Sequence, residues 1–311
     1  MGCNNYPMGE TKGDRGMGEL KYVELPNGET LSYRERIGGE ELCIFVHGNM
    51  TSSKHWDVLI ENFDPRYTII APDLRGFGAS TYKNRITHMR DFSDDLKSFV
   101  DSLGLKDFSL LGWSTGGAVA MQFCADYPGL CNKLMLLASA STRGYPFYQT
   151  NEDGTQSTIR LKTIAEIEND IGKTIPMQGL YDTKNRDGLK AVWNAVIYTH
   201  NQPDEQKYEE YVDDMLTQRN LADVYHVLNT FNISHHDNEA AKGTGEIDKI
   251  LIPVLILYGE RDYVVPGNMT EELIEDFGEK AKVVKLVNCG HSPLIDDLDQ
   301  LKNAIEQFLK D

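Results

Sequence analysis

The 311-residue chain predicts an α/β fold, a mostly parallel sheet with helices on both faces. Three observations predict it. Six short runs are rich in branched and other apolar residues, and near-continuous apolar strands are buried on both sides, as in a parallel sheet under helices. Between them, apolar residues recur at spacings of three and four, the period of an amphipathic helix. The composition, 40% hydrophobic and 9% aromatic, can fill a large core and excludes disorder for most of the chain.

The elements follow in order. Residues 1–18, rich in Gly, Asn and charge without apolar period, are expected to form a disordered leader. Two extended runs then flank Pro26-Asn27-Gly28, a hairpin signal. The apolar runs are Leu42–Val46, Thr68–Ala71, Phe108–Leu111, Leu134–Ala138, Val254–Tyr258 and Val283–Val287. Helical stripes are Trp56, Leu59, Ile60 and Phe63, with Thr51, Ser52 and Ser53 as N-cap candidates. Phe92, Leu96, Phe99, Val100 and Leu103 form a second stripe, and Leu298, Leu301, Ile305, Phe308 and Leu309 a third. From 145 to 245 no strand-like run appears, while helical patterns recur at 187–198 and 211–217. This interval reads as a helical lid inserted into a core made of 19–144 and 246–311.

Charge and cysteine usage narrow the function classes. With 31 Lys+Arg against 48 Asp+Glu the net charge is −17, which disfavours nucleic acid and anionic membrane surfaces as partners. No stretch reaches the roughly 18–20 apolar residues of a membrane span, and the N-terminal residues carry no secretory apolar segment. Five widely spaced cysteines (Cys3, Cys43, Cys124, Cys131, Cys289) without a CxxC pair indicate neither a disulfide framework nor a zinc ribbon. Cys43 and Cys124 fall in apolar runs and are expected to be core thiols; no hydrophobic signal precedes Cys3 to support a lipid anchor. A cytoplasmic protein, monomeric or homodimeric, is expected.

The motif richest in chemistry is Gly112-Trp113-Ser114-Thr115-Gly116, set between an apolar run ending at Leu111 and a helical run from Ala118. A strand, a sharp turn and a helix would hold Ser114 in a strained conformation with its hydroxyl projected outward. Glycines are needed on both sides because the backbones approach too closely for Cβ atoms. A serine hydroxyl attacks a carbonyl at neutral pH only with a base in reach. His291, in Asn288-Cys289-Gly290-His291, follows the last apolar run and so lies at a strand's C-terminal end, where open α/β sheets collect catalytic groups. Asp262 follows the Val254–Tyr258 run and can orient the imidazole; Glu260 and Asp296 are the alternative carboxylates. The chain order Ser114, Asp262, His291 is that of the elbow-type hydrolases. His47-Gly48-Asn49-Met50 follows another apolar run, and the N–H of Asn49, with Met50 as fallback, joins that of Thr115 as a two-donor oxyanion hole. His47 is expected to hold this loop by hydrogen bonds.

These motifs, with Asp73-Leu-Arg-Gly-Phe-Gly-Ala-Ser80, resemble the α/β-hydrolase fold superfamily from about Glu19 to Asp311. The resemblance implies an eight-stranded, mostly parallel sheet with a helical cap after the sixth strand, and structural roles for Asp73 and Arg75 in bracing the loops. The nucleophile is Ser and not Asp, unlike haloalkane dehalogenase and epoxide hydrolase relatives. The single glycine before Asn49 is unlike the HGGG type, and nothing suggests a peptidase. What stays similar is the group of capped esterases, lactonases, C–C bond hydrolases and cofactor-free perhydrolases or haloperoxidases.

The leading expectation is hydrolysis of a small carboxylic ester or lactone through an acyl-enzyme, a mechanism needing no metal or organic cofactor. C–C bond hydrolysis or perhydrolase chemistry with the same triad, and a small-molecule receptor using an intact triad, are the alternatives. Tyr145, Phe147, Tyr148, Trp193, Tyr198 and Tyr211 are candidates to line an apolar pocket for the acyl part. His235-His236-Asp237 is expected to be a solvated loop, since adjacent histidines on a helix point apart. Sixteen acidic and nine basic residues give 145–245 a net −7, which argues against a strongly anionic substrate while leaving room for a single carboxylate.

Overall fold

In a computed structural model, which describes residues 19–311, Asn27-Gly28 turns the chain back on itself, with Gly28 at φ +86°. The expected leader, with Cys3, lies outside the described residues. Strands β1 (Lys21–Glu24) and β2 (Thr30–Arg36) therefore pair antiparallel, Glu24 opposite Thr30. Strands β3 (Glu41–Val46), β4 (Tyr67–Pro72), β5 (Phe108–Trp113) and β6 (Cys131–Leu137) follow. A small ribbon, β7 (Tyr148–Thr150) with β8 (Gln156–Arg160), stands apart, and β9 (Val254–Gly259) and β10 (Ala281–Leu286) complete the main sheet.

The eight-stranded sheet has the order β1-β2-β4-β3-β5-β6-β9-β10. Only the β1–β2 and β2–β4 pairs are antiparallel; all pairs from β4 through β10 are parallel. The central β5 is buried at every residue, as its apolar run predicts. At the other end β10 is largely solvent-facing, with Val283 and Val287 exposed. Its apolar run suggested burial on both faces, but it is the sheet's last strand and lacks a neighbour on one side.

Helices α1 (Asp57–Asn62), α2 (Met89–Ser102) and α3 (Thr115–Asp126) lie between the early strands, and α9 (Gly267–Phe277), α10 (Pro293–Asp296) and α11 (Leu298–Lys310) follow later ones. The stripe Phe92, Leu96, Phe99 and Val100 is buried on α2, which packs on α3. Leu301, Ile305, Phe308 and Leu309 are buried on α11, which meets α1. Ser52 caps the turn before α1 by accepting from the Lys54 N–H at 3.1 Å.

The interval 145–245 adds no strand to the main sheet. It carries α4 (Ile164–Glu168), α5 (Thr174–Asp182), α6 (Arg186–Val196), α7 (Glu205–Met215) and α8 (Leu221–Thr230). The β7–β8 ribbon is the departure from an all-helical interval. Its strands are short and mostly exposed, so they have no apolar run to announce them.

Two arrangements make the sheet's middle a candidate site. The chain runs from β3 to its neighbour β4 on one side and returns to β5 on the other, so the loops leaving β3 and β5 diverge around one crevice, where α/β sheets bind ligands. The turn from β5 into α3 is also very close. A Cβ on Gly112 would stand 2.2 Å from the Gly116 carbonyl oxygen, and one on Gly116 would stand 2.2 Å from that of Val46. Both obstacles are backbone and cannot swing away. Gly116→Ala should therefore cost about 1–3 kcal/mol or more of stability, the range for overpacking a tight interior. A thermal or urea melt unchanged from the parent protein would refute the close approach.

Candidate active site

At the end of β5 the backbone of Ser114 adopts φ 55°, ψ −116°, a region non-glycine residues rarely occupy. α3 begins at the next residue, so the Thr115 N–H is at the helix's first turn with no intrahelical partner. Ser114 and Thr115 both line one cavity of about 370 Å³.

Asp262 and His291 meet on the loops after β9 and β10, and neither is among the residues that line that cavity. His291 Nδ1 lies 2.9 Å from Asp262 Oδ2, and both side chains are almost fully buried. The second carboxylate oxygen, Oδ1, accepts the N–H groups of Val264 and Val265 at 2.8 Å each, which fixes the carboxylate's rotation and leaves Oδ2 for the imidazole. The His291 carbonyl accepts the Trp113 indole N–H at 2.9 Å, so the residue preceding Ser114 is tied to the histidine loop. No hydrogen bond joins Ser114 Oγ to His291 in this structure. Of the alternative carboxylates, Asp296 accepts the Gly290 N–H at 2.7 Å, and Glu260 accepts from Asn288 N–H at 3.2 Å and Lys285 at 3.1 Å. Both brace the loop and neither bonds the imidazole.

The loop after β3 is pinned by His47. Its Nε2 accepts the Leu74 N–H at 2.9 Å, which puts the proton on Nδ1, 2.8 Å from the Gly48 carbonyl. Asp73 braces the same region, accepting from Ser53 N–H at 2.8 Å and Ser32 Oγ at 2.6 Å. Arg75 works farther away, donating to Asp95 on α2. Asn49 and Met50 both line the cavity. The Met50 N–H, however, is occupied, donating to Gln218 Oε1 at 3.1 Å, while Gln218 Nε2 donates to the Asn49 side chain at 2.8 Å. Gln218 sits between α7 and α8, and sequence reasoning missed it; a glutamine in a polar connecting stretch carries no local signal.

Apart from Lys173, the rest of the cavity is mostly apolar. Val192 and Val196 of α6, Tyr225 and Leu228 of α8, and Tyr145 with Phe147 enclose it. Of the six aromatic candidates only Tyr145 and Phe147 reach the cavity. Tyr148 lies in the β7 strand, and Trp193, Tyr198 and Tyr211 are buried elsewhere, Tyr211 stacked on His55 at 4.1 Å and Trp193 tilted against Tyr198 at 5.1 Å. That second group seats the helical interval on the core, with Ser52 donating to Asp214 at 2.5 Å and both the Tyr211 hydroxyl and Lys207 donating to Asp57. The His235-His236-Asp237 stretch is a bend, His235 pairing with Asp248 at 3.0 Å. Cys43, Cys124 and Cys131 are buried, and burial pushes the Cys289 thiol, near His291, up to about 12. Among the described residues no helix is long and apolar enough to cross a membrane.

The sheet, the turn at Ser114 and the order of the loops define a class, and residues 42–298 match the family model for the alpha/beta hydrolase fold. The chain belongs to the α/β-hydrolase fold family. It is 26% identical over 92% of its length to the AB hydrolase superfamily protein YisY of Bacillus subtilis, covering 98% of that protein. It is 21% identical over 94% of its length to a 2-hydroxy-6-oxononadienedioate/2-hydroxy-6-oxononatrienedioate hydrolase of a Pseudomonas species, covering 97% of it. Among solved structures it resembles an esterase from Exiguobacterium antarcticum with a TM-score of 0.72 and 17% identity, over 93% of this chain and 99% of that one.

The burial of His47 has a pH consequence. Burial lowers its pKa, against the pull of Asp73 and the Gly48 carbonyl, so the folded protein holds it neutral while the unfolded chain takes up a proton near the ordinary value of about 6.5. Its contribution to stability is complete above that value and declines as pH falls through it. Melting temperatures from pH 8 to 5 should fall more steeply for the parent than for His47→Gln; parallel curves would show that this imidazole is not what titrates.

Proposed function

We propose that the protein is a serine hydrolase of small carboxylic esters or lactones, with Ser114 as nucleophile, His291 as general base and Asp262 as the carboxylate that orients it. The observation that carries this reading is the 2.9 Å His291–Asp262 pair, on a loop tied by the Trp113 indole to the residue that precedes the strained Ser114. Nδ1 is committed to the carboxylate, so Nε2 is the nitrogen left for the serine proton. Hydrogen bonds of this kind are often long without substrate and tighten in its complex.

His291 Nε2 takes the Ser114 proton as Oγ attacks the substrate carbonyl. The N–H groups of Asn49 and Thr115 receive the oxyanion, each worth roughly 2.7–4 kcal/mol by analogy with single-donor deletions. Met50 is the poorer donor because its N–H already serves Gln218. The tetrahedral species collapses, the alcohol leaves with the proton from His291, and an acyl-Ser114 ester remains. A water molecule deprotonated by His291 then attacks it, releasing the acid and restoring the serine. The interval 145–245 acts as a cap whose α6 and α8 shape the acyl pocket.

A second reading, C–C bond cleavage with the same three residues, is favoured by similarity to a relative named for hydrolysis of 2-hydroxy-6-oxo dioates. Parallel assays with 4-nitrophenyl butyrate and with a 2-hydroxy-6-oxo dienoate separate the two.

A fluorophosphonate should label the folded protein at Ser114, located by peptide mass spectrometry; an unlabelled serine in folded protein would sink both readings. Ser114→Ala should lower kcat on 4-nitrophenyl butyrate by about 10^4-fold or more, and Asp262→Asn by a similar order. Gln218→Ala frees the Met50 N–H and loosens the loop that presents Asn49. It should lower kcat by about tenfold with little change in KM, a part of the loss expected for a missing donor. A KM effect alone would place Gln218 in substrate binding instead.

A further inference from the structure

The cavity that holds Ser114 contains one charged side chain, Lys173, which precedes α5. It is half-buried, and its ammonium lies over the rings of Phe147 at 4.7 Å and Tyr145 at 5.8 Å. Among the described residues no hydrogen bond or ion pair engages its Nζ. The nearest carboxylate to act on it, Asp170, is fully occupied: Oδ1 accepts the N–H groups of Lys173 and Gly172 at 2.8 and 3.2 Å and the Thr150 hydroxyl at 3.2 Å, and Oδ2 accepts the Thr150 N–H at 2.9 Å. Those bonds anchor the Lys173 backbone to β7 and leave its side chain to the pocket.

An ammonium held against apolar walls with no carboxylate in ion-pair contact is costly, and two aromatic faces offset only part of that, about 0.5–2 kcal/mol. Burial lowers its pKa, with Asp170 opposing. The surrounding interval is acidic, net −7, yet the charge it turns toward Ser114 is positive.

We propose that Lys173 is a carboxylate-binding residue and that the substrate is an ester carrying one free carboxylate, separated from the scissile carbonyl by an apolar spacer. A hemiester of a dicarboxylic acid is the simplest such molecule. The proposal deepens the esterase reading and rests on it for the position of the scissile bond. A monoanion fits the single cation; a phosphate dianion would want further donors, and the pocket's other walls are mostly aliphatic and aromatic. The spacer runs along Val192, Val196 and Leu228, which reject water and a second charge.

The test compares mono-4-nitrophenyl glutarate with 4-nitrophenyl butyrate. The ratio of their kcat/KM values should fall about tenfold or more in Lys173→Met and return in Lys173→Arg, with circular dichroism checking that each variant is folded. Calorimetric binding of monomethyl and dimethyl glutarate to Ser114→Ala protein separates this from the esterase reading. The monoacid should bind more tightly, and adding Lys173→Met should erase its advantage. If neither nitrophenyl ester turns over but this selectivity holds, the carboxylate site stands and the esterase reading fails. An unchanged ratio, equal binding of the two glutarates, or no measurable binding of either overturns the role of Lys173.

Discussion

The first turn of α3 lies against the end of β3, close enough that a Cβ on Gly116 would collide with the carbonyl of Val46. That contact sets the distance between the turn bearing Ser114 and the loop bearing Asn49, because the two leave adjacent parallel strands and have no room to drift apart. It also forces Ser114 into its unusual backbone conformation, with β5 and α3 as rigid arms on either side. Strain of this kind persists only when packing on every side over-determines it, and here β5 and the first turns of α3 are wholly buried.

From that fixed point the remaining parts are attached by hydrogen bonds of increasing reach. Trp113 carries its indole to the His291 carbonyl, coupling the turn to the last loop of the sheet. Asp262 divides its two oxygens between backbone and imidazole, so the carboxylate is held by its own loop before it holds anything else. Gln218 reaches in from the helical interval to both Asn49 and Met50. The interval is thus no loose cover: Asp214, Lys207 and Tyr211 bind it to Ser52 and Asp57 of the core, while Gln218 ties it to the loop after β3.

Much of this was legible in the residues. The Gly112–Gly116 turn, the apolar runs and the positions of Asp262 and His291 after them are local signals. Each depends on neighbours a few residues away, and parallel strands place all their C-terminal ends on one edge. The aromatic residues of the helical interval were less legible. Trp193 and Tyr211 have the same composition and spacing whether they face a cavity or a packing partner, and their partner, His55, is more than a hundred residues away in the chain. The β7–β8 ribbon escaped notice because its polar, exposed strands hide nothing from water.

The sequence by itself determined the α/β class, the hairpin at Asn27-Gly28, the glycine-flanked turn at Ser114 and the order of the three candidate catalytic residues, because strand burial, turn sterics and helix periodicity are properties of contiguous chain. Only the tertiary structure decided that the Met50 N–H is taken by Gln218, that Asp296 and Glu260 serve loops while Asp262 serves the imidazole, and that Lys173 of the acidic interval lines the cavity with Ser114. Each of those outcomes is a choice among several chemically competent groups. It is settled by which one the packed chain brings within about 3 Å, the length a hydrogen bond allows.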